Sequence, residues 1–242
     1  EGRPQAAAGV KKGFFESIGS GVSRVFKNYL ASYLVLAADI TYWSFTDLFG
    51  KRSHRKGEVV NQAVLMGVKA AFIVGAMSFI IGLVLALQSA AQLRTLGANI
   101  YIVDLTVIAM MSEMGPLITA ILVAGRSGSS IAAEIATMNV TSETDALRTM
   151  GLRPVRFVVV PKMHGGLLTM PFLTILADVA GIVGGMVIAS TYLDISPIVF
   201  INRMEQSLLL KDIVFGVVKS LVFIYLIVIT GSYFGFKADR GA

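Results

Sequence analysis

Cysteine is missing from all 242 residues. Its absence excludes disulfides, thiolate metal sites and thiol catalysis. Histidine is nearly missing too: only His54 and His164 occur, too few and too far apart in sequence to form a metal cluster. No hydroxyl or carboxylate is set beside a base as nucleophilic catalysis requires. The chain therefore reads as no enzyme, with no catalytic residue, no metal site and no cofactor of its own. Charge is scarce as well. Only 15% of residues are Asp, Glu, Lys or Arg, against about 25% in soluble domains.

What is present is apolar: 55% of residues are hydrophobic and the mean hydropathy is +0.74. This is the composition of a membrane protein. The net charge of +6 would point to nucleic acid in a soluble chain, but here its distribution decides, and no nucleic-acid partner is expected. The opening "EGRPQAAAGVKKG" has no signal-peptide pattern. Residues 1–27 read as a mobile tail, and 28–242 as one membrane domain.

A helix needs about 20 apolar residues to cross a bilayer core. Four runs are long enough: Leu65 to Ala91, Tyr101 to Gly125, His164 to Ser190 and Ile213 to Phe236. An earlier segment, Tyr29 to Phe49, is interrupted by Asp39, Thr41, Tyr42, Trp43, Thr46 and Asp47. Its aromatic and polar content suits the membrane interface. Arg24 and Lys27 precede it, and Lys51, Arg52, Arg55 and Lys56 follow it, so both its ends are expected on the cytoplasmic side. The loop with Arg126, Arg148, Arg153, Arg156 and Lys162 is cytoplasmic by the same bias. The expected fold is thus all-α, an interfacial helix followed by four spans.

That loop, "AGRSGSSIAAEIATMNVTSETDALRTMGLRPVRFVVVP", is the most informative stretch. It is no phosphate loop, because "GRSGSS" lacks the lysine and follows a membrane helix instead of a strand. Ala124, Gly128, Ala132 and Ala136 recur every four residues, as do Gly125, Ser129 and Ala133, a small-residue face for close helix packing. Ser142 and Asp145 have the spacing of a capping box. Gly151 and Pro154 mark a helix stop. A short amphipathic helix is therefore expected within about residues 142–151, with Ala146, Leu147 and Met150 on its apolar face. Such a helix is either a loop ornament or an element that docks in a partner's groove.

Several motifs then occur in order: E-x-G-P at Glu113 to Pro116, G-R-x-G-S at Gly125 to Ser129 and A-E-I at Ala133 to Ile135. E-x-x-A-L at Glu143 to Leu147, M-G-x-x-P at Met150 to Pro154 and "LLTMPFLTILADVAGIVGG" follow. Together they resemble the signature of MlaE-type permeases, the membrane subunits of MCE-associated lipid ABC transporters, over roughly residues 28 to 240. The resemblance implies a homodimeric permease in the bacterial inner membrane. It implies a separate cytoplasmic ATPase that binds ATP and Mg, a periplasmic MCE-domain protein and a STAS-domain protein as partners. The work implied is movement of phospholipids between inner and outer membranes, which maintains outer-membrane lipid asymmetry. The short helix would be the coupling helix, with Glu143, Asp145, Leu147, Arg148 and Met150 facing the ATPase. Members of the family carry one more C-terminal span, so about 25 residues are expected to be missing after Ala242. Some members have Arg where this chain has Ser112.

Three charges interrupt the spans: Glu113, Asp178 and Lys219. Each costs about 3 kcal/mol or more at a bilayer centre, so each should face protein or a wet cavity. The resemblance places Glu113 and Lys219 on the central cavity of the dimer. Gln88 with Leu87, and Met114, are further cavity candidates, while Gly125, Gly128, Gly181 and Gly185 read as packing positions. Counting residues puts Lys219 about 9 Å closer to the periplasm than Glu113, so a direct bond would need a different helix stagger. A competing reading is an ion-coupled secondary transporter using Glu113 and Asp178, although the internal repeats common in such carriers are not evident. A purely structural membrane anchor is a third.

Overall fold

The computed structural model describes residues 14–49 and 57–238, and within them every regular element is helical. In chain order these are α1 (Phe14–Phe49), α2 (Glu58–Leu93), α3 (Tyr101–Val140), α4 (Glu143–Thr149), α5 (Val155–Tyr192), α6 (Pro197–Ser207) and α7 (Leu210–Phe236). Helices α2, α3, α5 and α7 are the four long and apolar enough to cross a membrane, and they contain the four expected runs. Each is longer than its run. At 36 residues, α2 extends for about 54 Å and so overruns a hydrocarbon core of about 30 Å. Helix α1 starts at Phe14, so its backbone takes in half of the stretch expected to be a tail. Residues 1–13 and the basic run Lys51 to Lys56, His54 included, lie outside the described residues.

Glycine fixes the loop geometry where the backbone turns left-handed. Gly57 (φ 91°) opens α2, and Gly97 (φ 65°) ends the short turn after it. Helices α2 and α5 form the central pair. Gly82 meets the backbone of Gly181, and Gly184 meets the backbone of Phe79, so the two helices approach where no side chain intervenes. The burial pattern is that of a membrane protein. Phe72, Val68 and Leu210 are among the most exposed side chains, while Ser78, Thr106, Thr119, Ser220 and Ser232 are buried. Without a hydrophobic force between helices, small and weakly polar residues carry the contacts, and large aliphatic ones face lipid.

One buried cluster, including Ile40, Met66, Ile131, Met163 and Ile224, joins α1 to the bundle, and a second forms around Val103, Val107, Met110, Ile182 and Phe200. Phe200 belongs to α6, an amphipathic helix capped by Ser196, whose hydroxyl accepts from the Val199 amide at 3.4 Å. Arg203 holds α6 to the start of α3 by donating to Asp104 at 2.8 and 2.5 Å. This bond raises the Arg203 guanidinium further above its ordinary pKa.

Helix α1 is fastened to the bundle near its middle and near its C-terminal end. Near Tyr29, the Lys237 ammonium at the end of α7 sits over the tyrosine ring. Near Phe49, Asp47 receives Arg156 at 2.6 Å, and the same guanidinium stacks 4.4 Å from the Trp43 ring. Ser44 bonds His164 at 2.9 Å. Lys237 and Arg156 are at the same end of the bundle as α4. Between these points Tyr33 bonds Thr230, Thr41 bonds Tyr225 and Ile40 is buried in the first cluster, so residues 29–41 pack along the last three turns of α7.

Candidate functional site

Helix α3 is not a uniform α-helix. It carries two π turns, Met110–Met114 and Ala124–Gly128, and π turns commonly mark functional positions. The first sets the register of Glu113. Lys219 of α7 donates both to the Glu113 carboxylate and, at 2.9 Å, to the carbonyl of Ser112. The separation of about 9 Å counted along ideal helices therefore does not hold. The π turn adds a residue to the ring and rotates Glu113, and the stagger of α3 against α7 closes the gap.

The pair is open on one side. Its side chains are 63% (Glu113) and 37% (Lys219) exposed. Next to it, Ser112 donates to Asp212 at 3.3 Å, and Asp212 also accepts the Leu209 amide at 3.3 Å, capping α7. Nothing in the residue order singles out Asp212, which reads as an ordinary loop charge until the fold brings it beside Ser112.

Asp178 is not part of this pair. It is 5% exposed, with one carboxylate oxygen lacking a hydrogen-bond partner. That carboxyl fills the space where a side chain at Gly115 would begin, and the Met110 carbonyl lies 3.0 Å from the same point. Gly115 and Asp178 together thus wedge against the π turn that orients Glu113. Of the other cavity candidates, Met114 packs against the second apolar cluster, while Leu87 and Gln88 are exposed towards the end of α2. The structure joins Glu113 to Lys219 and leaves those three apart from the bond.

At the opposite end stands α4. Its stop is as expected: Gly151 has φ 75°, its amide donates to Arg148 at 3.0 Å, and the Leu152 amide donates to Leu147 at 2.9 Å. This is a Schellman closure. Its start corrects the capping-box expectation. Ser142 has φ 65° and makes no side-chain cap. Thr144 instead donates to Asn139 at 3.0 Å, and Asn139 donates to the Ala238 carbonyl at 2.9 Å, which ties α4 to the end of α7. Leu147 is only 8% exposed, whereas Met150 is 65% exposed. Of the two expected apolar anchors, only Met150 faces outward, because Leu147 is turned into the chain's own packing. Asp145 and Arg148 form an exposed pair at 3.2 Å, and Glu143 accepts from Thr141 at 3.1 Å.

Behind α4, Lys162 donates to both carboxylate oxygens of Glu134 at 2.7 Å. The lysine is 2% exposed and the glutamate 50%. This pair locks α5 to α3 and was not legible from sequence, since Glu134 and Lys162 are 28 positions apart.

The glycine expectations divide. A Cβ on Gly185 would lie 2.5 Å from Thr106, one on Gly128 would lie 3.1 Å from Ile227, and Gly181 is crowded by Met110 and Ser78. Around Gly125 nothing lies within 4 Å, so it meets no neighbouring helix among the described residues.

The sequence model of the Permease MlaE family matches residues 59–242. A probable ABC transporter permease protein of Rickettsia typhi is 35% identical over 184 residues, covering 76% of this chain and 71% of that one. The intermembrane phospholipid transport system permease protein MlaE of Haemophilus influenzae is 33% identical over 182 residues, 74% of this chain and 70% of that one. A chloroplastic protein of Arabidopsis thaliana, TRIGALACTOSYLDIACYLGLYCEROL 1, is 32% identical over 165 residues, 68% of this chain and 47% of its own length.

Proposed function

This chain belongs to the MlaE permease family, and from that premise we propose that it is the membrane subunit of an ATP-driven ABC transporter of phospholipid. It would act in the bacterial inner membrane, passing lipid between that membrane and the outer one and so helping maintain outer-membrane lipid asymmetry. ATP and Mg would be bound by a separate cytoplasmic ATPase. A periplasmic MCE-domain protein, with a STAS-domain protein, would complete the assembly.

The observation that carries this reading is the Glu113–Lys219 pair. It sits between two apolar helices yet is open on one face. Hydrocarbon would not tolerate that face, so protein or a wet cavity must cover it. A second copy of the chain, related by a two-fold axis, supplies such a cover with the same surface on both sides. The enclosed cavity would then present Lys219 to a lipid phosphate, with Glu113 holding the lysine in place. At the cytoplasmic end, Met150 and the carboxylates of Glu143 and Asp145 would seat α4 in a groove of the ATPase, while Arg148 lines a pocket of the chain itself.

The test is transfer of a fluorescent phospholipid between reconstituted vesicles by the permease copurified with its ATPase. Transfer should require ATP and should fall at least tenfold in Lys219→Met. Met150→Asp should release the ATPase without unfolding the permease, since that side chain is already outside. Transfer driven by a pH gradient without ATP would instead favour an ion-coupled carrier.

A further inference from the structure

The end of the bundle that holds α4 contains a second candidate ligand site. Parts of α1, α4, the start of α5 and the end of α7 line an open pocket of about 470 Å³, a volume within the range of small-ligand sites. Leu36, Val155 and Phe236 give it an apolar wall, and Arg148 and Lys237 are its cations. No carboxylate lines it among the described residues.

The two cations are available. Lys237 sits with its ammonium 3.0 Å from the centre of the Tyr29 ring and 5.7 Å from that of Tyr233, and it has no carboxylate partner among the described residues. Arg148 meets Asp145 at 3.2 Å, but both side chains are largely exposed, and such a pair is weak. The cavity also lies at a defined depth. Apolar α7 ends at Phe236 and apolar α5 begins at Val155, so this is the level of the headgroups, where tyrosines collect.

We propose that this cavity binds an anionic phospholipid of the cytoplasmic leaflet. Its phosphate would sit between Lys237 and Arg148, and an acyl chain would lie along Leu36, Val155 and Phe236. The apolar wall favours a lipid over free phosphate, which would leave those three side chains wet. The site is distinct from the Glu113–Lys219 pair, because Lys219 and Lys237 are separated by about 27 Å along α7. It does not depend on what the transporter carries. Bound there, a lipid bridges α1 to α4, so leaflet charge would act on the helix that faces the cytoplasm.

The experiment uses the purified permease–ATPase complex in detergent, incubated with phosphatidylglycerol or with phosphatidylcholine of the same chain lengths. Native mass spectrometry then counts the lipid retained. Wild type should hold phosphatidylglycerol roughly fivefold more tightly than Lys237→Gln does, the factor one basic residue supplies near an anionic surface. Lys237→Arg should match wild type, and phosphatidylcholine should be held weakly by all three. Inorganic phosphate titrated into the loaded complex should leave the lipid in place. Equal retention of phosphatidylglycerol by wild type and a Lys237→Gln protein of unchanged size and helicity would overturn the site. Wild type holding phosphatidylcholine equally well would do the same, and displacement by inorganic phosphate would overturn the lipid assignment.

Discussion

Two lysine–glutamate pairs tie α3 to its neighbours, and they are built in opposite ways. Lys162–Glu134 hides the cation, with the lysine 2% exposed and its glutamate 50%. Glu113–Lys219 leaves both partners partly open, at 63% and 37%. The hidden pair lies at the cytoplasmic end, where water can reach the acid. The open pair lies between membrane helices, where an uncovered charge is costly. The difference separates structure from work: the first pair is complete within one chain, and the second is unfinished until something covers it.

The sharpest way to break this comparison is to remove the acid from each pair. Glu134→Ala strands a buried ammonium, which costs about 3–5 kcal/mol. Lys162→Met in the same chain should restore much of that, because no charge is then left unpaired. Thermal unfolding in detergent of the single and double variants would decide it, and a single variant as stable as wild type would show the pair to be incidental.

Gly115→Ala comes next. A Cβ there collides with the Asp178 carboxyl and crowds the Met110 carbonyl, an overpacking cost of about 1–3 kcal/mol. It should also shift the π turn, so lipid transfer is expected to fall more than stability does. Transfer rates at wild-type level would mean that Glu113 keeps its register without the wedge.

Glu113→Gln should change stability by no more than about 1 kcal/mol, since an ion pair that faces a wet cavity is screened by water and contributes little. Transfer should nonetheless drop at least tenfold, because Lys219 loses the carboxylate that holds it. A large loss of stability with normal transfer per folded molecule would reverse the roles assigned to the two pairs.

The smallest effect is expected at Gly125→Ala. With nothing within 4 Å of an added Cβ, the variant should gain about 0.5–1 kcal/mol from helix propensity alone. It can be read by the same unfolding measurement, and a loss would mean that another molecule packs there.

The amino-acid order by itself determined the four spans, the odd polar segment around Trp43 and the short helix ended by Gly151. These follow from runs of apolar residues and from one backbone position that favours glycine, both of which are local properties. It also determined which charges had to be accounted for, because Glu113, Asp178 and Lys219 stand out against apolar neighbours. Only the tertiary structure decided how they are used. The π turn that brings Glu113 to Lys219 is wedged by Asp178 from another helix, and a residue count along ideal helices has no access to that. Leu147 and Met150 look alike on a helical wheel, yet one is covered by the chain and the other is not. Gly125 and Gly128 differ in the same way, since close approach is a property of the neighbouring helix rather than of the glycine. Partner choice for Lys162 and Glu134 rests on the packing of α5 against α3, which exists only once the bundle has formed.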